Sequence, residues 1–342
     1  MSASYGGLRG SQTIDRARTY PCGQGALEKP ARTGTFGHMS GPETRVDAVI
    51  VAYNGRDTLR ACVEPLAAMP FVSVVVVDNA SPHDPIGAIE DLDVTIVRAP
   101  RNGGFSYGCN LGIARGSAPF VLLLNPDAHL QSADLSALVS ALETDPGAGV
   151  AGPRILDGDG GLLLSQRRFP RPASTLGQAL FLHRLAPSAA WADELIHEPQ
   201  AYERPGTPDW ISGACMLLRR TALDEIGGLD EGFFLYCEDT DLCRCLRSAG
   251  WTTRFVPTAT ARHEEGSSAP RSELLAVHAR SRVHYARKHL TRGAALVDRA
   301  AVALGAASHA LANIGSPPLA RGHARALRAT LGHPSATAEA PH

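Results

Sequence analysis

Five short stretches of this chain carry side chains that could do chemistry together. Asp127 closes Leu123-Leu-Asn-Pro-Asp127, on a loop directly after an apolar run. There it could hold a divalent cation against a diphosphate, because magnesium- and manganese-type sites take one or two carboxylates and leave the rest to phosphate and water. It could equally cap the helix that follows. Asp78 ends another apolar run, where a carboxylate accepts a hydrogen from a ribose hydroxyl or from the imide N–H of uracil or thymine. Asn79-Ala-Ser81-Pro82 also reads as an ordinary polar turn. Asn102-Gly103-Gly104 lets backbone approach a ligand closely, since glycine has no side chain. Glu238-Asp239-Thr240-Asp241 is the densest acidic cluster near aromatic residues. Acidic residues favour a helix's first turn electrostatically. The preceding Phe233-Phe-Leu-Tyr236 should also bury one side of the cluster, and burial raises a carboxylate's proton affinity, which suits a general base. His263, with Gly266 and Ser267 nearby, reads as a cation or phosphate contact or as a solvated loop side chain. Nucleophilic catalysis has thinner support, because Ser212-Gly213 lacks the G-x-S-x-G elbow and no cysteine has a local activator. The Gly-Gly turn is not the G-x-G-x-x-G fingerprint of a nicotinamide enzyme.

The hydrophobic pattern supplies elements able to position these groups. Val46 to Ala52, 72–77, Val94 to Arg98 and Phe120 to Leu124 are continuous apolar runs of strand length. Helical spacing separates them, over Asp57 to Met69 and from Gly104 to about Ala114. Such alternation predicts a mostly parallel, Rossmann-like α/β sheet covered on both faces. Each run ends in small or polar residues: Ala52-Tyr53-Asn54, Asp78-Asn79, Asn102-Gly103-Gly104 and Asn125-Pro126-Asp127. Ligands sit at that carboxyl edge in open α/β sheets, although Asn and Asp also end strands for backbone reasons. A helix (132–144) and a strand (148–152) come next. From 153 to 210 the chain is rich in Pro, Arg and loop signals, with one helical stretch near 174–185. Trp210 to Arg219 reads as a strand crossing the site, and Thr221 opens a helix that stops at Gly227-Gly228. The acidic tetrad leads a helix to about Ala249, and Thr252 to Val256 forms a strand. Beyond Arg271 the chain reads as helical to about 331, broken near Gly315-Ser-Pro-Pro318.

Length and composition bound the answer. With 342 residues, 44% hydrophobic, the chain can build a core without disulfide or metal staples. Its 33 basic and 34 acidic residues leave a formal charge of −1, which excludes a polyelectrolyte built to coat nucleic acid. There is no run of 18 apolar residues to predict a conventional spanning helix, and the first 25 residues lack the apolar core of a secretory signal. Seven scattered cysteines (22, 62, 109, 215, 237, 243 and 245) do not have zinc half-site spacing, so free thiols in a reducing cytoplasm are expected. Arg280, Arg282, Arg287, Lys288 and His289 gather positive charge in the C-terminal helices. That charge serves as a solvated face, or as a contact for an anionic polyprenyl diphosphate or an acidic membrane surface, and the weakly amphipathic 294–312 suits either partner.

The order of these pieces resembles the family 2 glycosyltransferases, enzymes of the nucleotide-sugar-binding GT-A fold. Val49-Ile-Val-Ala-Tyr-Asn54, Val75-Val-Val-Asp-Asn-Ala-Ser81, Arg101-Asn-Gly-Gly-Phe105 through Asn110, and Leu123-Leu-Asn-Pro-Asp127 match the donor half. Trp210-Ile-Ser-Gly-Ala214, Gly227 through Asp241, and His263 to Ser267 match the acceptor half. Within the family the chain looks most like bacterial rhamnosyltransferases of cell-wall and polysaccharide assembly. The resemblance implies that Ala52, Tyr53, Asn54, Asp78, Asn79, Asn102, Gly103, Asn125 and Asp127 cradle the nucleotide sugar. It implies that Asp127 and His263 serve Mg²⁺ or Mn²⁺, and that Asp239 is the base, positioned by Glu238. Trp210, Ser212, Gly213 and Asp241 would line the sugar and acceptor side. The family's Asp-x-Asp signature departs here, since Asn125 stands where its first carboxylate would be.

These readings divide the chain into a flexible extension (1–44), a GT-A domain (45–270, with halves 45–152 and 153–270) and a C-terminal helical region and tail (271–342). Met39 reads as an alternative start. The expected activity is inverting, metal-assisted transfer, with dTDP-rhamnose to a polyprenyl-linked or polymeric glycan as first choice. An inverting transfer needs one base on the acceptor hydroxyl and a cation for the departing diphosphate. A retaining hydrolase would instead need two carboxylates about 5–5.5 Å apart and no nucleotide pocket. The rivals are a same-fold transferase with a UDP-sugar or a small-molecule acceptor, and a catalytically silent nucleotide-sugar-binding protein. The expected location is cytoplasmic, with peripheral contact at the inner face of the cell membrane.

Overall fold

The computed structural model describes residues 45–54, 56–264 and 270–332. The extension over 1–44, Gly266, Ser267 and the last ten positions lie outside the described residues. The first half runs β1 (Val46–Ala52), α1 (Arg56–Ala67), β2 (Val72–Asp78), β3 (Thr95–Arg98), α2 (Phe105–Ile113), β4 (Phe120–Leu124), β5 (Ala128–Leu130), α3 (Ser132–Thr144) and β6 (Ala148–Leu156). Then come β7 (Leu162–Leu163), β8 (Gln166–Arg167), α4 (Pro172–Ala179), β9 (Trp210–Ile211), β10 (Cys215–Arg219), α5 (Arg220–Ile226), α6 (Glu238–Ser248) and β11 (Thr252–His263). Three helices follow: α7 (Arg271–His289), α8 (Arg292–Ala312) and α9 (Pro317–Leu331).

One sheet carries the order β3-β2-β1-β4-β10-β6-β11-β5, with β7 paired to β6. The strands β3, β2, β1 and β4 are all parallel, as the apolar runs predict. Alternate residues feed two cores. Ala48, Ile50, Val74 and Val76 face α1 and α3, whereas Val49, Val51, Val75 and Val77 face α2, α5 and α6. This is the period-two side-chain pattern of a strand buried on both faces.

Two expectations change. The segment Trp210–Arg219 is not one strand crossing the site. It breaks at Ser212–Ala214, so that Trp210–Ile211 pairs with Gln166–Arg167 while Cys215–Arg219 enters the main sheet. There β10 lies between β4 and β6, antiparallel to both. The strand starting at Thr252 also continues past Val256 to His263, crossing an irregularity between Val256 and Thr260. Pro257 removes one ladder donor there, so the pairing lapses and resumes instead of ending.

The C-terminal helices are pinned to the sheet domain by buried charge. Arg282 donates to Glu194 at 3.0 Å and to the Thr175 hydroxyl at 2.8 Å, and that hydroxyl donates to Asp298 at 2.5 Å. All four side chains are buried. The Ser281 hydroxyl donates to the Leu235 carbonyl at 2.7 Å. Although the sequence has no unbroken apolar run of spanning length, α8 is long and apolar enough to cross a membrane by length and composition. Among the described cysteines five are free and buried, whereas the Cys245 sulfur is disulfide-bonded, against the expectation of free thiols throughout.

Candidate active site

The strand tips of the parallel half converge as a hydrogen-bonded rim. At the end of β1, Asn54 is left-handed (φ 62°), and its N–H donates to the Ser81 hydroxyl at 3.1 Å. At the end of β2, Asp78 accepts from the Ser81 N–H at 3.0 Å and lies 3.4 Å from the Arg98 guanidinium. Buried Asn79 spends its amide on the Asn102 side chain at 3.0 Å and the Gly104 carbonyl at 3.1 Å, and its Oδ1 accepts from the Gly103 N–H. Asn79 and Asn102 therefore shape the glycine turn, while Tyr53 and Asn54 stay half-exposed beside it. The turn meets the second half directly. Gly104 has φ 88°, a Cβ there would stand 2.2 Å from the Phe234 carbonyl oxygen, and that oxygen accepts from the Phe105 N–H at 2.7 Å. Only glycine fits both the conformation and the approach.

A second cluster forms where β4 ends. Pairing of β5 with β11 places His263 opposite Ala128, next to Asp127. The His263 Nε2 lies 3.1 Å from Asp127 Oδ1 and 3.2 Å from Asn125 Nδ2. This ring nitrogen faces an amide N–H that donates hydrogen bonds and a carboxylate that accepts them. Two ligands at right angles on a magnesium-type ion stand about 3 Å apart, and an oxygen–nitrogen set of this kind suits Mg²⁺ or Mn²⁺. Asp127 and His263 thus fit a cation, and Asn125 turned over would add a neutral amide oxygen where the signature has a charge. Among the described residues a second grouping, Asp241, Cys245 and His289, has ligand atoms within 4.8 Å. It does not suit an ion, since the Lys288 ammonium already sits 2.9 Å from Asp241 and the sulfur is bonded.

The third cluster holds the acidic pair. Two consecutive left-handed residues, Tyr236 (φ 69°) and Cys237 (φ 64°), turn the chain into α6. Such non-glycine conformations are costly and persist where the surroundings fix them. They deliver Asp239 to the break between β9 and β10. There Asp239 Oδ2 accepts from the Gly213 N–H at 3.0 Å and Oδ1 from the Thr240 N–H at 2.7 Å. Burial pushes the proton affinity of Asp239 up, while those bonds and the Arg167 charge pull it partly back. Glu238 is raised more, first by burial and then by the neighbouring Asp239 charge, and its Oε2 is buried without a hydrogen-bond partner. The neighbouring carboxyls disfavour a second charge, and Asp239, which accepts two N–H bonds, is the better placed to carry the first.

Several residues stand apart from their expected roles, and one was missed. Asp241, expected at the acceptor, is buried on the α7 side. It binds His289 Nε2 at 2.6 Å and Lys288 at 2.9 Å, and Lys288 also binds Asp230 at 2.7 Å. Trp210 is buried, with its indole N–H on the Arg168 carbonyl at 2.9 Å, and Ser212 lies in the break beside Gly213. Arg167 had no expected role. Its guanidinium stacks 5.0 Å above the Trp210 ring, and its Nε is buried without a partner. The only sequence signal was the pair Arg167-Arg168 in a stretch read as loop.

Residues 47–227 match the family described as Glycosyl transferase family 2. The chain is 33% identical over 241 residues to an N-acetylglucosaminyl-diphospho-decaprenol L-rhamnosyltransferase of Mycobacterium tuberculosis, covering 66% of this chain and 78% of that one. Among solved structures, a mannosyltransferase from Pyrobaculum calidifontis in complex with GDP-Man and Mn²⁺ aligns at a TM-score of 0.50 and 17% identity, covering 88% of this chain and 85% of the other. GalNAc-T7 with UDP, GalNAc and Mn²⁺ aligns at 0.50 and 17%, covering 70% and 47%. These likenesses bear out the expected GT-A fold.

Proposed function

We propose, for a chain that belongs to glycosyl transferase family 2, that it moves a sugar from a nucleotide-diphosphate donor to a lipid-linked glycan with inversion. The donor is a dTDP- or UDP-sugar, with dTDP-rhamnose as first choice. The acceptor is a polyprenyl-diphosphate-linked saccharide, and the work is done on the cytoplasmic side of the membrane, in the building of a cell-wall or surface polysaccharide. The sugar and acceptor class rest on the mycobacterial relative, and the residue roles on the geometry.

One observation carries the reading. The turn between β9 and β10 touches both halves of the chemistry: Gly213 donates to Asp239, and the next residue, Ala214, accepts from the Asn125 N–H at 3.0 Å. A three-residue break thus links the Asp239 carboxyl to the Asp127–His263 cluster. An inverting displacement needs a fixed span, with base and leaving group on opposite faces of the sugar.

In the reaction, Asp239 takes the proton from an acceptor hydroxyl whose oxygen attacks the anomeric carbon. The bond from that carbon to the diphosphate oxygen breaks, and the electron pair leaves with the nucleoside diphosphate. Protonated Glu238 adds no second charge against Asp239 and holds it in place. The rim built by Asn54, Asp78 and the Asn79–Asn102 turn receives base and ribose. Arg167 beside Trp210 meets negative charge on the acceptor side. Mg²⁺ or Mn²⁺ held by Asp127 and His263, when bound, supplies Lewis-acid neutralisation of the departing diphosphate.

The test is a panel of radiolabelled nucleotide sugars offered with a polyprenyl-diphosphate-linked acceptor, with and without each cation. Transfer from one donor, lost in Asp239→Asn, is the expected result. Turnover that persists in Asp239→Asn, or that ignores chelator, overturns the assigned roles. A preference for a UDP-sugar or a small-molecule acceptor would move the substrate and keep the mechanism.

A further inference from the structure

Helix α8 has two faces of opposite character. Asp298, Ala301, Gly305 and Ser308 recur at three- and four-residue steps and hold the helix to the protein. Asp298 and Ala301 are buried, Gly305 lies against Ala179, and the Ser308 hydroxyl donates to the Ala179 carbonyl at 2.7 Å. The other face repeats the same steps with Val297, Ala300, Leu304, Ala307 and Leu311, none of them charged, and Ile314 follows in the turn after the helix. This outward stripe is wet: Leu311 is 73% and Ile314 77% exposed, and Val297 and Leu304 are exposed too. An exposed helix face is ordinarily polar, and a contiguous apolar one marks an interaction surface.

Charge says what covers it. The segments 171–194 and 290–332 carry seven arginines (171, 184, 292, 299, 321, 325 and 328) against three acids, Asp193, Glu194 and Asp298, all buried; Arg299 is bonded to the carbonyls that end α9 and Arg325 to the Ser272 carbonyl. Arg184 lies over the Phe181 ring, and that ring stacks 4.3 Å from His309 of α8. Arg321, Arg325 and Arg328 are exposed on α9. A second copy would bring these arginines against their own kind across a two-fold axis. A spanning helix would have to pull Asp298 from the Thr175 hydroxyl and the neighbouring Arg282. An anionic bilayer satisfies both features at once, taking the stripe about 5–10 Å into its headgroup boundary and pairing its phosphates with the arginines.

We infer that the outward face of α8, flanked by Arg171 and Arg184 on either side of α4 and by the arginines of α8 and α9, seats the protein in the plane of an anionic lipid surface. The link of that seat to catalysis rests on the lipid-linked acceptor proposed above. The surface itself does not.

The experiment is flotation of the full chain with vesicles of phosphatidylglycerol and phosphatidylcholine, against phosphatidylcholine alone. The bound fraction should be at least about tenfold higher on the anionic vesicles. Leu304→Glu/Leu311→Glu should abolish binding while donor affinity by calorimetry is unchanged. Arg321→Glu/Arg328→Glu, at exposed positions, should remove the preference for anionic lipid and serves if the leucine pair does not fold. Three results overturn the inference: no binding to anionic vesicles, a dimer that the leucine pair dissociates, or resistance to alkaline extraction. Vesicle binding without donor binding supports this surface and sinks the preceding reading instead.

Discussion

The Gly213 N–H and the Asp239 carboxylate face each other across 3.0 Å, and a Cβ on Gly213 would stand only 3.3 Å from the Asp239 Cβ. The proposed base is therefore aimed by backbone from a different element. Gly213→Ala should lower kcat about tenfold with donor affinity kept, and Asp239→Asn should lower it about 10²–10⁴-fold. Steady-state kinetics beside donor calorimetry separate the two parameters. An Asp239→Asn enzyme with normal kcat removes Asp239 from the mechanism.

Cation binding should depend on the Asp127–His263 pair. His263→Ala should weaken Mn²⁺ about 10–100-fold, and Asp127→Ala should weaken it further. Paramagnetic resonance of free Mn²⁺ reads this without turnover. Affinity unchanged in both variants sends the ion elsewhere.

The raised proton affinities of Glu238 and Asp239 set a pH signature. The acid limb of kcat should lie above the ordinary carboxylate range near ~4. Stability follows the same sign. A carboxyl raised in the fold contributes stability that is complete below its unfolded value and is lost as pH climbs through its folded value. Glu238→Gln should therefore flatten the fall of Tm with rising pH above ~4.5. Thermal melts across that window check it, and an unaltered slope refutes the shared titration.

Arg167→Met keeps apolar contact with Trp210 and deletes the charge that helps ionise Asp239. Its acid limb should move to higher pH and its kcat fall. Arg167→Lys should recover the limb better than the rate, since an ammonium does not stack as a guanidinium does. A Met variant with an unmoved profile reduces Arg167 to packing.

Lys288 is half-buried between Asp230 and Asp241, and a hydrogen bond from His284 together with the Lys288 charge holds Asp230 well below the usual carboxylate range against its partial burial. Lys288→Met should cost about 3 kcal/mol, because it strands the buried carboxylate of Asp241 and the half-buried one of Asp230. Urea denaturation measures this. The loss should shrink as pH falls and the carboxylates protonate, and a loss independent of pH contradicts the ionic account.

Much of this was legible because its cause is local. The apolar runs ending at Ala52, Asp78 and Leu124 must be buried strands, and parallel strands must present their carboxyl tips together. The helix 132–144 appears with the boundaries its pattern predicts. What escaped depends on partners far along the chain. Nothing within Trp210–Arg219 says that three residues will leave the strand to face Asp239. Asp241 and Asp239 look alike in sequence, and only the arrival of Lys288 and His289 about 47 residues later separates them. Arg167 was invisible because its meaning comes from Trp210, on another strand.

The position of β10 bears on how such a protein can be divided. A gene fragment ending at Leu156 would encode β4 and β6 with an empty lane between them, two bare edges inviting association with other chains. A cut at the midpoint would therefore expose two edges of one sheet instead of separating two folded units.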